Sequence, residues 1–207
     1  MIKISTSILA TSNRIESIQK LNNTNTDYIH IDTMDGIFVP NKQMPIEEIL
    51  DLEKYSKKPL DIHLMVENPE EYINKLVNKN IEYITIHEEI NQNKKNILNK
   101  IKSLGYKAGL SIKPNTPIES LNEYLDKLDL ILIMSVEPGF GGQQFIPKTL
   151  NKAKLLKEKN PNITIQMDGG IKDTNINEIK KYVDIAVVGS YITNNNNYNE
   201  AINNLKK

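Results

Sequence analysis

Continuous apolar runs of strand length alternate with segments of helical pattern eight times along this chain. The runs predict strands at Ile2–Leu9, Tyr28–Thr33, Leu60–Met65, Tyr83–His87, Ala108–Ile112, Leu130–Met134, Ile163–Met167 and Ile185–Val188. The intervening stretches fit helices, among them Glu70–Asn78, Lys94–Leu104, Pro117–Leu125, Pro147–Lys159 and Asn175–Tyr182. Asn68-Pro69, Thr116-Pro117 and Ile146-Pro147 place proline at helix starts, where its missing N–H costs nothing. Strands apolar on both faces and separated by helices specify a parallel sheet covered on both sides.

Eight such units fit an α/β fold of one kind, a closed (β/α)8 TIM barrel. The 207 residues are enough for one such domain, spanning 1–207, near the lower end of a range that starts at roughly 200 residues. An open doubly wound sheet is the rival. Its dinucleotide-binding version needs a G-x-G-x-x-G after the first strand, and none is present.

Composition narrows the partners. Lys plus Arg number 26 and Asp plus Glu number 26, so the net charge of zero gives no general attraction to nucleic acid or membrane. Any anion site must be local. The absence of cysteine removes disulfides and thiolate metal sites and suits the cytoplasm. The opening MIKISTSILA predicts no signal peptide, and no apolar run approaches the roughly 20 residues of a membrane helix. The asparagine run 194–197 carries no functional expectation.

The chemistry-bearing residues sit at predicted strand ends, where barrels of this kind place their active sites. Residues i and i+2 of a strand share a face, so His30 and Asp32 can converge on one divalent metal, with Met34 next on that side. The chain has three histidines, and His63 and His87 fall at strand ends as well. His63 is followed by Met65, and Asp168 precedes the Gly169-Gly170 pair. The set His30, Asp32, His63 and Asp168 suits Zn, Mn, Fe(II) or Co. A metal beside two carboxylates points to proton transfer at a carbon next to a carbonyl. The metal would hold the developing enediolate oxygens while Asp32 and Asp168 remove and supply protons. Carboxylates on opposite sides of the substrate plane would invert a stereocentre.

Met34, Met65 and Met134 are ordinary gap fillers by type. Their shared position at strand ends also fits an apolar, water-excluding wall beside the enediolate. Glycines follow three consecutive strands, in Pro138-Gly139-Phe140-Gly141-Gly142, Gly169-Gly170 and Gly189-Ser190. Such loops let backbone N–H groups approach a phosphate closely, and the first of them can also serve as a lid.

Several segments together resemble the ribulose-phosphate 3-epimerase family: Ser7-Ile8-Leu9, HIDTMDGIFVPN (30–41), PLDIHLMVENPEEYI (59–73), ITIHEE (84–89), KPNTPIE (113–119), LILIMSVEPGFGGQQFIP (130–147), QMDGGI (166–171) and VVGS (187–190). The resemblance runs from Ile4 to about Ile192. It implies interconversion of D-ribulose 5-phosphate and D-xylulose 5-phosphate, an isomerase step of the pentose phosphate pathway, in a TIM barrel with one divalent metal. It makes His30, Asp32, His63 and Asp168 the ligands, and Asp32 and Asp168 the acid/base pair. Ser7 and His63 would contact the sugar phosphate, held chiefly through its phosphate by Gly139, Phe140, Gly141, Gly142, Gly169, Gly170, Gly189 and Ser190. A homo-oligomer is expected, since the family forms dimers and larger assemblies.

The chain departs from the family pattern at Thr6 (usually Pro), Ile37 (usually His), Ala10-Thr11-Ser12 (usually Ser-Ala-Asp) and Tyr191 (usually Ala). None is a proposed ligand or acid. Two alternatives stand beside the main reading: an epimerase of a hexulose phosphate such as allulose 6-phosphate, and a non-catalytic phosphosugar-binding barrel. A metal-dependent aldolase or decarboxylase needs a proton carrier on only one face, so the paired aspartates count against it.

Overall fold

The computed structural model describes residues 1–207. Eight parallel strands close on themselves: β1 (Lys3–Ser7), β2 (Tyr28–Asp35), β4 (Leu60–Met65), β5 (Ile81–His87), β6 (Lys107–Ile112), β7 (Leu130–Met134), β8 (Thr164–Asp168) and β9 (Ile185–Val188). Each pairs with its successor, and β1 pairs with both β2 and β9, which closes the barrel. A two-residue strand, β3 (Lys42–Gln43), adds antiparallel to the end of β2. All eight expected strands are present, with ends shifted by two residues or fewer.

The helices are α1 (Arg14–Leu21), α2 (Ile46–Glu53), α3 (Pro69–Ile73), α4 (Lys94–Ser103), α5 (Leu150–Lys159), α6 (Asp173–Ile179), α7 (Ser190–Thr193) and α8 (Tyr198–Lys206). Asparagine explains several of their starts. The side chains of Asn13, Asn93 and Asn197 accept from the N–H of Glu16, Asn96 and Glu200, capping α1, α4 and α8. The 194–197 run therefore has a structural use at its last member.

The helix expected over Pro117–Leu125 is instead a pair of 3-10 turns, Ile118–Leu121 and Leu125–Lys127. Its buried residues Ile118, Leu121 and Tyr124 recur every third position, which matches three residues per turn rather than 3.6. The helix expected over Glu70–Asn78 stops at Ile73, continues in i→i−3 turns through Leu76, and ends before Asn78, which has φ of 55°. Pro147–Thr149 form a 3-10 turn that leads into α5.

The two faces of the strands carry opposite chemistry. The main apolar core lies between sheet and helices: Ile29, Ile31, Ile62, Leu64, Ile84, Ile86, Leu110, Ile131, Ile133, Ile165 and Val188 all belong to it. The alternate residues point into the barrel, and many are polar: Ser5, His30, Asp61, His63, Thr85, His87, Ser111 and Gln166 are all fully buried. A smaller apolar cluster that includes Tyr28, Tyr83, Leu130, Leu132 and Ile185 lines the same inward face. Gly109 is required here, because a Cβ at that position would lie 2.3 Å from Thr85 Oγ1.

Candidate active site

Strand register brings the site together. In the β2–β4 pair His30 is beside Asp61, Asp32 beside His63, and Met34 beside Met65. Imidazoles and carboxylates thus alternate both along and across the two strands. Asp168 arrives from β8, with β1 and β9 between it and β2 around the barrel. One ligand atom from each of His30, Asp32, His63 and Asp168 lies within 4.8 Å of the others.

Each imidazole presents one nitrogen to this cluster and ties the other down. His30 Nδ1 bonds Asp61 Oδ2 at 2.8 Å. Asp61 Oδ2 also accepts from Ser5 Oγ at 2.7 Å and Gln166 Nε2 at 2.6 Å. His30 Nε2 is buried without a hydrogen-bond partner, 3.2 Å from Asp32 Oδ1. His63 Nδ1 lies 3.2 Å from the same Asp32 oxygen, while its Nε2 is 2.8 Å from His87 Nε2. His87 Nδ1 in turn bonds Glu89 Oε2 at 2.9 Å. Ser7 Oγ donates to Asp32 Oδ2 at 2.8 Å. An orphaned, fully buried imidazole nitrogen aimed at two carboxylates and a second imidazole is a donor set of nitrogen and oxygen that fits a divalent metal ion.

The electrostatics divide the two site carboxylates. Burial works against the charge on Asp32, but the His30 charge and the His30 and His63 imidazoles beside it outweigh it, holding Asp32 well below the usual range. Burial, reinforced by the negative charge of Asp32, pushes Asp168 up to about 7. Burial opposes protonation of His30, yet the flanking Asp32 and Asp61 carboxylates raise it well above an ordinary histidine. Burial lowers His63, and lowers His87 to about 4.

A cavity of about 540 Å³ opens over this cluster at the C-terminal end of the strands. Asp32 and Asp168 reach it, as does Ser7. Met34, Met65 and Met134 form part of its wall, each 2 % exposed. Gly139, Phe140, Gly141, Gly142, Gly169, Gly170, Gly189 and Ser190 line the rest. His30 and His63 do not line it; they are completely buried beside Asp32, which is the group that faces the open space.

The glycine loops are held against one another. Ser135 Oγ donates to the carbonyls of Asp168 and Gly169 at 2.7 and 2.8 Å. Asn41 Nδ2 donates to the Gly139 carbonyl at 3.0 Å. Gly170 has φ of 63°, and a Cβ there would sit 2.4 Å from the Phe145 nitrogen.

Some participants escaped the sequence reading. Asp61, Gln166 and Ser5 carry no motif; their roles come from register and from facing inward. Glu89 follows His87 by two residues, the same same-face spacing that singled out His30 and Asp32. Lys172, Asn175 and Tyr191 also line the cavity. Of the departures from the family pattern, Ile37 is 77 % exposed and lies outside the cavity, and Thr6 bonds Thr26 away from it. Two departures do line the cavity, Ala10 and Tyr191, and Tyr191 brings the larger side chain.

No helix is long and apolar enough to cross a membrane. The fold matches that of 3-hexulose-6-phosphate synthase from Salmonella typhimurium, with a TM-score of 0.71 over 99% of this chain and 96% of that one, at 14% identity. At the sequence level the chain is 41% identical over 182 residues to the ribulose-phosphate 3-epimerase of Aquifex aeolicus, covering 86% of this chain and 82% of that protein. It is 36% identical over 208 residues to the ribulose-phosphate 3-epimerase of Helicobacter pylori, covering 98% and 94%. A ribulose-phosphate 3-epimerase of Oryza sativa, 37% identical over 180 residues, is named a cytoplasmic isoform. The ribulose-phosphate 3 epimerase family model matches residues 3–193, and the chain belongs to that family.

Proposed function

We propose that the protein is an isomerase that interconverts D-ribulose 5-phosphate and D-xylulose 5-phosphate by epimerisation at carbon 3. The observation that carries this reading is the pair Asp32 and Asp168, which meet at one buried cluster with proton affinities driven apart. Groups separated in this way divide into a base and an acid.

Asp32, held ionised, removes the proton from carbon 3 of one epimer. Asp168, holding a proton near neutral pH, delivers one to the opposite face. The return reaction exchanges the roles. Ser7 fixes the orientation of Asp32 through the hydrogen bond to Oδ2. His30, Asp32, His63 and Asp168 would hold one divalent ion, Zn, Fe(II), Mn or Co, which when bound supplies Lewis acidity where negative charge develops on the substrate oxygens. The three methionines give the reacting carbons a wall that excludes water without offering a competing proton. The backbone N–H groups of the glycine loops, with Ser190, receive the phosphate. By family membership we place the protein in the cytoplasm as a homo-oligomer.

Incubation with D-ribulose 5-phosphate in deuterated water tests the reaction. Xylulose 5-phosphate carrying solvent deuterium at carbon 3 is expected, because both carboxyl protons exchange with solvent. Product that retains the substrate's own hydrogen would contradict a two-carboxylate transfer.

A further inference from the structure

Behind His63 runs a second line of contacts that the proposed reaction does not use. His63 Nε2 meets His87 Nε2 at 2.8 Å, and His87 Nδ1 meets Glu89 Oε2 at 2.9 Å. The other Glu89 oxygen, Oε1, accepts from the Lys113 backbone N–H at 2.8 Å and from Thr116 Oγ1 at 2.5 Å. Both histidines are fully buried.

Proton positions along this line are not independent. A carboxylate only accepts, so His87 must carry its proton on Nδ1. Its Nε2 then has a lone pair and can only accept from His63. His63 therefore donates from Nε2; as a neutral metal ligand it then turns its Nδ1 lone pair to the cluster, whereas without metal the same Nδ1 stands 3.2 Å from the Asp32 carboxylate, to which it can donate only when it carries a proton of its own. That lone pair is what a metal requires of an imidazole.

We infer that Glu89, acting through His87, is a positioning residue that sets the tautomer of His63 and so primes the cluster for metal. This assignment rests on the metal-site reading above. It gives Glu89→Gln a definite consequence. The Lys113 N–H obliges the amide oxygen to take the Oε1 place, so the NH2 faces His87 Nδ1. His87 must then accept at Nδ1 and donate from Nε2, and His63 receives that proton at Nε2 and places its own on Nδ1. One isosteric change, two rings away, turns a metal-binding lone pair into an N–H.

The test uses the full-length protein loaded with zinc and labelled with nitrogen-15 in its histidine rings. Nitrogen chemical shifts are expected to show His87 protonated on Nδ1 with a free Nε2 lone pair. His87 protonated on Nε2, with zinc bound, overturns the assignment. In parallel, Glu89→Gln is expected to lower zinc affinity, measured by chelator competition, by about 10- to 100-fold. Unchanged affinity in a folded variant also overturns it. The tautomer measurement needs only the wild-type protein and so decides the matter where the variant fails to fold. Wild-type protein that binds no zinc would overturn the metal-site reading itself, and this assignment with it.

Discussion

Asp32 and Asp168 reach one cluster from β2 and β8, yet only one of them holds a proton near neutrality: Asp32 lies well below the usual carboxylate range, while Asp168 is pushed up to about 7. The two histidines account for the difference. His30 and His63 both flank Asp32, whereas Asp168, half-buried, faces the Asp32 charge.

Replacing either carboxylate by its amide removes a proposed proton carrier without changing shape. Asp168→Asn is expected to lower kcat on D-ribulose 5-phosphate by about 10²–10⁴-fold, the range for loss of one acid/base group. Asp32→Asn is expected to do the same and also to loosen the His30 and His63 contacts. Near-normal turnover in Asp168→Asn would remove that residue from its role.

The raised Asp168 has a cost in the metal-free protein. Its folded-state pKa lies above the unfolded value, so the folded chain keeps a proton that the unfolded chain has released. The stability contributed by this group is full below pH about 4 and declines as pH rises to about 7. Metal-free Asp168→Asn should therefore be more stable than metal-free wild type at about pH 8, on the order of 1–3 kcal/mol, with a smaller gap at about pH 5. Urea unfolding at both pH values measures it, and a gap independent of pH would contradict the assignment.

Gly170 supports the loop geometry where the phosphate is proposed to bind. Gly170→Ala puts a Cβ against the Phe145 nitrogen and the Gln143 carbonyl at positive φ. A loss of about 1–3 kcal/mol in stability is expected, with a rise in KM larger than the fall in kcat. Thermal unfolding and steady-state kinetics check this; wild-type KM in the variant would argue against a phosphate site there.

Ile37 and Tyr191 separate two departures that look equivalent in sequence. Ile37→His, at an exposed position outside the cavity, should leave kcat/KM within about twofold of wild type. Tyr191→Ala, which opens the cavity beside Ser190, should change KM and narrow the preference for a five-carbon over a six-carbon ketose phosphate. Parallel assays on ribulose 5-phosphate and allulose 6-phosphate measure both effects, and faster turnover of the six-carbon sugar by the wild type would favour a hexulose-phosphate epimerase.

The barrel was legible because its strands read as continuous apolar runs of strand length, with proline helix starts at Pro69, Pro117 and Pro147 marking three of the segments between them. His30, Asp32, His63 and Asp168 were legible for the same reason: each sits on a strand whose direction fixes its face. Asp61 and Gln166 were not, since their meeting at Oδ2 depends on strand register around the barrel, which no local pattern encodes. The 3-10 turns at Ile118–Leu121 and Leu125–Lys127 were missed because a spacing of three differs little from 3.6 over so short a run. Ile37 and Tyr191 could not be ranked from sequence because only the closed fold shows which of them faces the cavity.

Metal-dependent epimerisation by two carboxylates is decided by elemental analysis of the purified protein paired with an epimerase assay on D-ribulose 5-phosphate before and after chelation. About one divalent ion per chain is expected, with conversion to D-xylulose 5-phosphate, loss of activity when the ion is removed, and recovery when a divalent metal is restored. Full activity in protein shown to be free of metal, or no conversion by protein shown to be loaded, would contradict it.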